Sequence, residues 1–291
     1  MTRTLLFLVA LLAVPTLLVA QDSGPKIPDG ILYQPDIVFG KGGDTDLALD
    51  IARPEQLDQP APCVVFIHGG AWRGGNRKLH VPQILEFAKR GFVAATIQYR
   101  LIPTARFPAQ VEDVKCAVRY LRANADKHKL DPSKIGAVGF SAGGHLVMLL
   151  GVMDKADGLE GTGGNPDQSS KVNAVVAFFG PTELGASDIP ARSVGLVNDF
   201  LDSTKEENPD VRKTASPITY VDKADAPLLI FQGTKDPLVP HTQAFLMADA
   251  MTKAGMPGRI ELLIGAGHGW DQPELNRTIE GTAAFLAEHL K

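Results

Sequence analysis

Cysteine is scarce. Cys63 and Cys116 are the only two in 291 residues, so no disulfide framework can hold this chain together and its fold must rest on an apolar core. One bridge between them or two buried thiols both fit, since Cys63 opens an apolar run and Cys116 falls in a helical pattern. Neither sits in a local pattern that would lower a thiol pKa for catalysis. Charge of one sign is also missing: 29 Lys and Arg stand against 33 Asp and Glu, a formal net charge of −4. That balance offers no basic surface to nucleic acid or to an anionic membrane. There is no internal repeat, no H-E-x-x-H and no phosphate-binding loop, so neither a metal nor an organic cofactor is expected.

What the chain does have is an ordinary globular composition, 44% apolar and 21% charged, at a length that can bury a sizeable core. The first twenty residues stand apart. Arg3 precedes an uncharged apolar run from Leu5 to Ala20, interrupted by Pro15 and followed by polar Gln21. This is the layout of a secretory signal peptide with cleavage after Ala20, and the run falls short of the roughly 20 residues a membrane span needs. A secreted or periplasmic protein is expected, with no membrane attachment after cleavage.

From residue 21 onward one α/β domain is expected. Apolar runs at Ile31–Phe39, Leu47–Ala52, Cys63–His68, Phe92–Tyr99, Ile135–Val138, Val172–Phe179, Leu228–Gln232 and Ile260–Ile264 read as strands. Helical periods at Val81–Arg90, Ala109–Asn124, His145–Val152, Thr242–Ala254 and Leu275–Leu290 separate them. The alternation predicts a mostly parallel sheet covered by helices on both faces. Two segments break it. Residues 153–171, polar and glycine-rich, read as a surface loop; residues 182–216, with a weak apolar pattern, read as a small cap over a site.

The chemistry centres on I-G-A-V-G-F-S-A-G-G-H-L-V, residues 135–147. Apolar runs flank a tight turn with Ser141 at its apex and glycines at 139 and 143, the G-x-S-x-G pattern of a nucleophile elbow. On these five residues alone, an incidental serine in a glycine-rich turn is an equally good reading. Companions decide it. A nucleophilic serine needs a base, an acid to orient the base, and donors for an oxyanion. His268, just past the last strand in G-A-G-H-G-W, is the base expected; His145 on the elbow helix reads as a packing or loop-anchoring residue, and His241 lies in the approach to a helix. Asp236 follows the strand Leu228–Gln232 and precedes His268 by enough chain for one helix and one strand, whereas Asp222 and Asp225 fall on the wrong edge of the sheet and Asp271 is too near His268. Oxyanion donors are expected from Ala142 and from the turn H-G-G-A-W, His68–Trp72.

With these motifs in place, the chain from about Ile31 resembles the α/β-hydrolase esterases of the hormone-sensitive-lipase-like and acetyl-xylan or feruloyl esterase-like (BD-FAE-like) groups. H-G-G-A-W, Y-R-L at Tyr99–Leu101, F-P-A-Q-V-E-D-V from Phe107, G-F-S-A-G-G, G-T-K-D-P-L-V-P and G-A-G-H-G-W carry the resemblance. It implies Ser141 as nucleophile, Asp236 as acid, His268 as base, and N–H groups of Gly70, Ala71 and Ala142 as the oxyanion hole, with Trp72 beside the substrate. Ala71 stands where many lipase-like relatives have a third glycine; a backbone N–H survives that change. The implied activity is a carboxylesterase acting on a small-molecule or polysaccharide-linked ester, the acetyl or feruloyl esters of plant polysaccharide being the specific expectation. An arylformamidase, a prolyl-oligopeptidase-like peptidase and a non-catalytic binding module remain alternatives on the same fold.

Overall fold

The computed structural model describes residues 24–291; the expected leader and its cleavage point after Ala20 lie outside the described residues. Eight strands form one sheet: β1 (Ile31–Gly42), β2 (Thr45–Pro54), β3 (Ala61–Ile67), β4 (Val93–Ile97), β5 (Leu130–Phe140), β6 (Ala174–Phe178), β7 (Leu228–Gly233) and β8 (Gly258–Leu263). Their spatial order is β1-β2-β4-β3-β5-β6-β7-β8, with β2 antiparallel to both its neighbours and every pair from β4 to β8 parallel. The helices are α1 (Val81–Lys89), α2 (Ala109–Ala123), α3 (Ala125–His128), α4 (Ala142–Val152), α5 (Ala191–Leu201), α6 (Pro209–Thr214), α7 (Thr242–Ala254) and α8 (Glu274–Leu290). This is the α/β-hydrolase arrangement expected from the alternation of strands and helices.

The central strands read as unbroken apolar runs because both of their faces are covered. In β3, Cys63, Val65 and Ile67 pack on the side of α2, α4 and α7, while Val64 and Phe66 pack on the side of α1 and α8. The same alternation runs through β6 and β7. Each fully buried Val, Leu, Ile or Phe contributes about 1.5–3 kcal/mol to this core. Cys63 and Cys116 are both free and buried, and burial pushes the Cys63 thiol up to about 12. Of the two options left open for the cysteines, buried thiols is the one the fold contains.

Three expectations need adjusting. The strand foreseen at Ile135–Val138 begins at Leu130, because a register shift between the pairs Ala61–Leu130 and Cys63–Ile135 absorbs three polar residues and Pro132, which hide the strand in the sequence. The elbow helix starts at Ala142, directly after the serine, rather than at His145. Residues 153–171 are not merely a surface loop. They deliver Glu160 to two buried cations of α2, with its carboxylate 2.9 Å from Lys115 Nζ and 2.7 Å from Arg119 Nη1. Those cations hold the Glu160 carboxyl below its ordinary range despite burial.

The strand order reverses direction at β3: the chain moves outward from β3 to β4, then crosses back to β5 on the other side. At such a switch point the loops leaving two neighbouring strands splay apart and open a crevice at their carboxyl ends. The loops there are His68–Trp72 and the turn at Ser141.

Candidate active site

Ser141 joins β5 to α4 with φ 53° and ψ −117°, a conformation L-residues avoid. It is held there by its own N–H donating to Phe178 O at 2.9 Å and by its carbonyl accepting from His145 N at 3.0 Å. The turn closes only because its neighbours lack side chains. A Cβ at Gly143 would strike the carbonyls of Ile67 and His68, and one at Gly69 would lie 2.7 Å from Phe140 O and 3.2 Å from Ser141 Cβ. The β3 loop is thus packed directly on the serine turn. Of the nine non-glycine residues with positive φ among those described, four (Ala71, Trp72, Ser141 and Phe179) surround this point. Strain of that kind, about 1–3 kcal/mol a residue, persists only where the surrounding structure enforces it.

His268 and Asp236 meet Ser141 from β8 and β7. His268 Nε2 lies 2.8 Å from Ser141 Oγ, and its Nδ1 lies 2.7 Å from Asp236 Oδ2. A carboxylate only accepts, so Nδ1 carries the ring proton and Nε2 is left to accept from the serine hydroxyl. Asp236 is fixed in turn. Its Oδ1 accepts from Leu238 N at 2.8 Å and Val239 N at 3.0 Å, and its Oδ2 also accepts from Gln232 Nε2 at 3.2 Å. The Asp236 side chain is fully buried and that of His268 is partly exposed, so the far end of the relay faces the crevice. Phe179 braces the imidazole, its ring centroid lying 4.7 Å from that of His268, and Trp270 packs edge-on against Phe179.

The turn after β3 is stiffened from behind. His68 Nδ1 contacts Gly69 O at 2.8 Å, its ring stacks on Tyr99 at 4.3 Å, and Tyr99 Oη donates to His68 O at 2.9 Å. Burial lowers the His68 pKa, favouring a neutral ring. Among the described residues, no protein acceptor takes the N–H of Gly70, Ala71 or Ala142 outside helix α4's own bonding. Small residues and free N–H groups beside Ser141 are what an anion forming on a substrate oxygen requires.

A cavity of about 360 Å³ opens onto Ser141 and His268. Its wall is aliphatic and aromatic: Leu184, Ile189, Leu196 and Val197 come from the 182–216 segment, Leu238 and Val239 from the loop that holds Asp236. No Lys, Arg, Asp or Glu lines it. Trp72 belongs to the wall but is only 4% exposed, stacked on Phe200 at 4.2 Å and edge-on to His145 at 5.3 Å. His145, fully buried, has its Nε2 2.7 Å from Ala215 O, anchoring the end of the 182–216 segment. His241 precedes α7 with its ring against Phe245, and Asp222 and Asp225 precede β7 at the opposite edge. Sequence reading missed Gln232, Phe179 and Gln243; Phe179 and Gln243 act through partners distant in the chain, while Gln232, only four residues before Asp236, reads simply as the end of a strand.

Ser141, His268, Asp236 and the N–H groups of Gly70, Ala71 and Ala142 therefore converge in a geometry that suits acyl transfer. Among the described residues no group of three or more His, Cys, Asp or Glu could hold a metal, and no helix is long and apolar enough to cross a membrane. Comparison with known proteins agrees with the fold. Esterase LipC of Mycobacterium tuberculosis is 34% identical over 81% of this chain, and esterase LipQ of the same organism is 32% identical over 76%. The matches span 60% and 53% of those proteins, so the chain covers little more than half of their length. Among solved structures, a truncated carbohydrate esterase from gut microbiota superposes with a TM-score of 0.77 at 29% identity, covering 89% of this chain and 96% of the other. Esterase 2 of the Planctomycetes species Thermogutta terrifontis, solved with propionate bound, gives 0.76 at 30% identity, covering 91% and 96%. The BD-FAE family model matches residues 49–251, and the chain belongs to that family.

Proposed function

We propose that the protein is a serine carboxylesterase in which Ser141 is the nucleophile, His268 the general base and then acid, and Asp236 the residue that fixes the imidazole. The observation that carries this is the continuous relay from Asp236 Oδ2 through His268 to Ser141 Oγ, with contacts of 2.7 and 2.8 Å, ending on a strained turn beside a cavity. Ser141 Oγ attacks the ester carbonyl carbon as its proton passes to His268 Nε2. The carbonyl oxygen becomes an anion that accepts from the N–H groups of Gly70, Ala71 and Ala142. Collapse expels the alcohol, which takes the proton from His268, and leaves an acyl group on Ser141. Water, deprotonated by the same imidazole, then releases the acid and restores the serine.

The finer reading is a secreted or periplasmic enzyme that removes acetyl or feruloyl groups from plant polysaccharide. The apolar run Leu5–Ala20 supports export, and the similarity to a carbohydrate esterase from gut microbiota supports the substrate class. The uncharged cavity suits a neutral acyl group. Residues 182–216 serve as a small cap within a single catalytic domain. Hydrolysis of chromogenic acetyl, butyryl and feruloyl esters by wild type and by Ser141→Ala tests the proposal. Wild type is expected to turn over at least one ester and to be silenced by paraoxon, a reagent that phosphorylates the Thermogutta esterase. A wild type inert towards all of them, or an alanine variant that keeps its activity, overturns it.

A further inference from the structure

One side chain in the cavity wall has a polar end with nothing to bind. Gln243, in the first turn of α7, is 1% exposed. Its Oε1 accepts from the backbone N–H of Thr182 and of Glu183, each at 2.8 Å, while the Thr182 hydroxyl donates to Gln243 O at 2.8 Å. Two backbone donors on one atom settle the orientation of the amide, because a flipped group would set N–H against N–H. Its Nε2 is therefore directed away from those donors, and among the described residues it has no hydrogen-bond partner. A buried amide donor left without an acceptor is costly, on the scale of a lost hydrogen bond or more. The remainder of the wall is almost wholly apolar, and the Ser193 hydroxyl there already donates to Leu238 O.

We infer that Gln243 Nε2 is a specificity-determining donor that selects esters whose cavity-seated group carries an uncharged oxygen acceptor, such as a keto, ether or methoxy oxygen, beyond its first carbons. The inference rests on the esterase reading above. A carboxylate or phosphate is disfavoured, because the wall holds no cation to balance it. A purely hydrocarbon group fills the cavity but leaves the amide unpaired, which is the arrangement by which polar sites reject isosteres lacking the matching atom. Trp72 Nε1 is a second donor of the wall without a partner, on a ring held by Phe200 and His145, and the substitutions below separate the two donors.

The test uses p-nitrophenyl hexanoate and three analogues in which an ether oxygen replaces carbon 3, 4 or 5, together with the matching series on the alcohol side as acetate esters. Each kcat/KM is divided by the ester's hydroxide-catalysed rate, and oxygenated-to-hydrocarbon ratios are taken within each variant, so that loss of folded protein cancels. Wild type is expected to favour one oxygen position by about tenfold, the worth of one neutral hydrogen bond. Gln243→Glu, which keeps an acceptor for Thr182 and Glu183 but removes the amide donor, and Gln243→Met, which removes both, should each abolish that preference. The inference is overturned if wild type shows no preferred position in either series, if the preference survives both substitutions, or if only Trp72→Phe removes it. Failure to hydrolyse any ester of either series would instead overturn the esterase reading, and this inference with it.

Discussion

Replacing Asp236 by Asn leaves its shape intact, yet the hydrogen bonds around it turn that small change into a large one. Oδ1 accepts from two backbone N–H groups, those of Leu238 and Val239, so the amide oxygen of the introduced asparagine must take that position. The NH2 group then stands where Oδ2 was, 2.7 Å from His268 Nδ1 and 3.2 Å from Gln232 Nε2. A donor facing Nδ1 drives the ring proton to Nε2, so that the nitrogen facing Ser141 can no longer accept. In other Ser–His–Asp enzymes the wrong tautomer costs about 10⁴ in kcat. The amide can escape by flipping, which leaves two buried backbone donors without partners, about 1–3 kcal/mol each. At 1.36 kcal/mol per factor of ten, the less costly route sets a loss between about 30-fold and 10⁴-fold. Asp236→Ala imposes no tautomer, so the conservative Asn should be no better than Ala. The assay is kcat at saturating p-nitrophenyl butyrate, with NMR of the imidazole nitrogens to locate the proton and a melting curve to confirm the fold. An Asn variant that keeps more than about a tenth of the wild-type rate, or whose Nδ1 stays protonated with its amide unflipped, refutes the reasoning.

Three further outcomes are expected. Gly69→Ala places a Cβ 2.7 Å from Phe140 O, pushing the β3 loop off the serine turn; kcat should fall by roughly 10², the usual result of an ångström-scale misplacement, with KM less affected, as steady-state kinetics will show. Glu160→Ala leaves the buried Lys115 and Arg119 unpaired and should lower unfolding free energy by about 3–5 kcal/mol in a urea titration, while a loss under 1 kcal/mol would mean that the cations find other partners. Burial depresses the His145 pKa to about 4, so between about pH 6.5 and pH 4 the unfolded chain binds a proton that the folded one refuses. Its contribution is present above that window and is lost as pH falls through it, up to about 3 kcal/mol, and His145→Gln, whose amide can still donate to Ala215, should flatten that limb of a stability-versus-pH curve.

Legibility from sequence followed chain distance and residue type. Ser141, Asp236 and His268 could be found because each sits in a short glycine- or proline-rich turn after an apolar run, and because their order along the chain is the order the sheet imposes. Glu160 was hidden inside a stretch whose glycines and polar residues spell a loop; its partners Lys115 and Arg119 occupy positions on α2 that read as solvated, and only the folded structure shows all three together. Gln243 was equally silent, since its meaning depends on two N–H groups of Thr182 and Glu183 some sixty residues earlier. The start of β5 escaped because Asp131, Pro132, Ser133 and Lys134 sit in an irregularity of the ladder, not on an alternating face.

The short loop from Asp236 to Val239 has a consequence for any attempt to reshape this protein. Leu238 and Val239 hold the acid with their backbone and line the cavity with their side chains. Enlarging the pocket at either residue therefore disturbs the orientation of His268 as well, so that selectivity and rate are mechanically tied at this corner. The opposite wall, from Leu184 to Val197, meets this loop through Ser193, whose hydroxyl donates to Leu238 O at 2.8 Å. Its aliphatic side chains Leu184, Ile189, Leu196 and Val197 make none of the hydrogen bonds that fix Asp236, so on the esterase reading they are the places where the cavity can change size with the relay left in place.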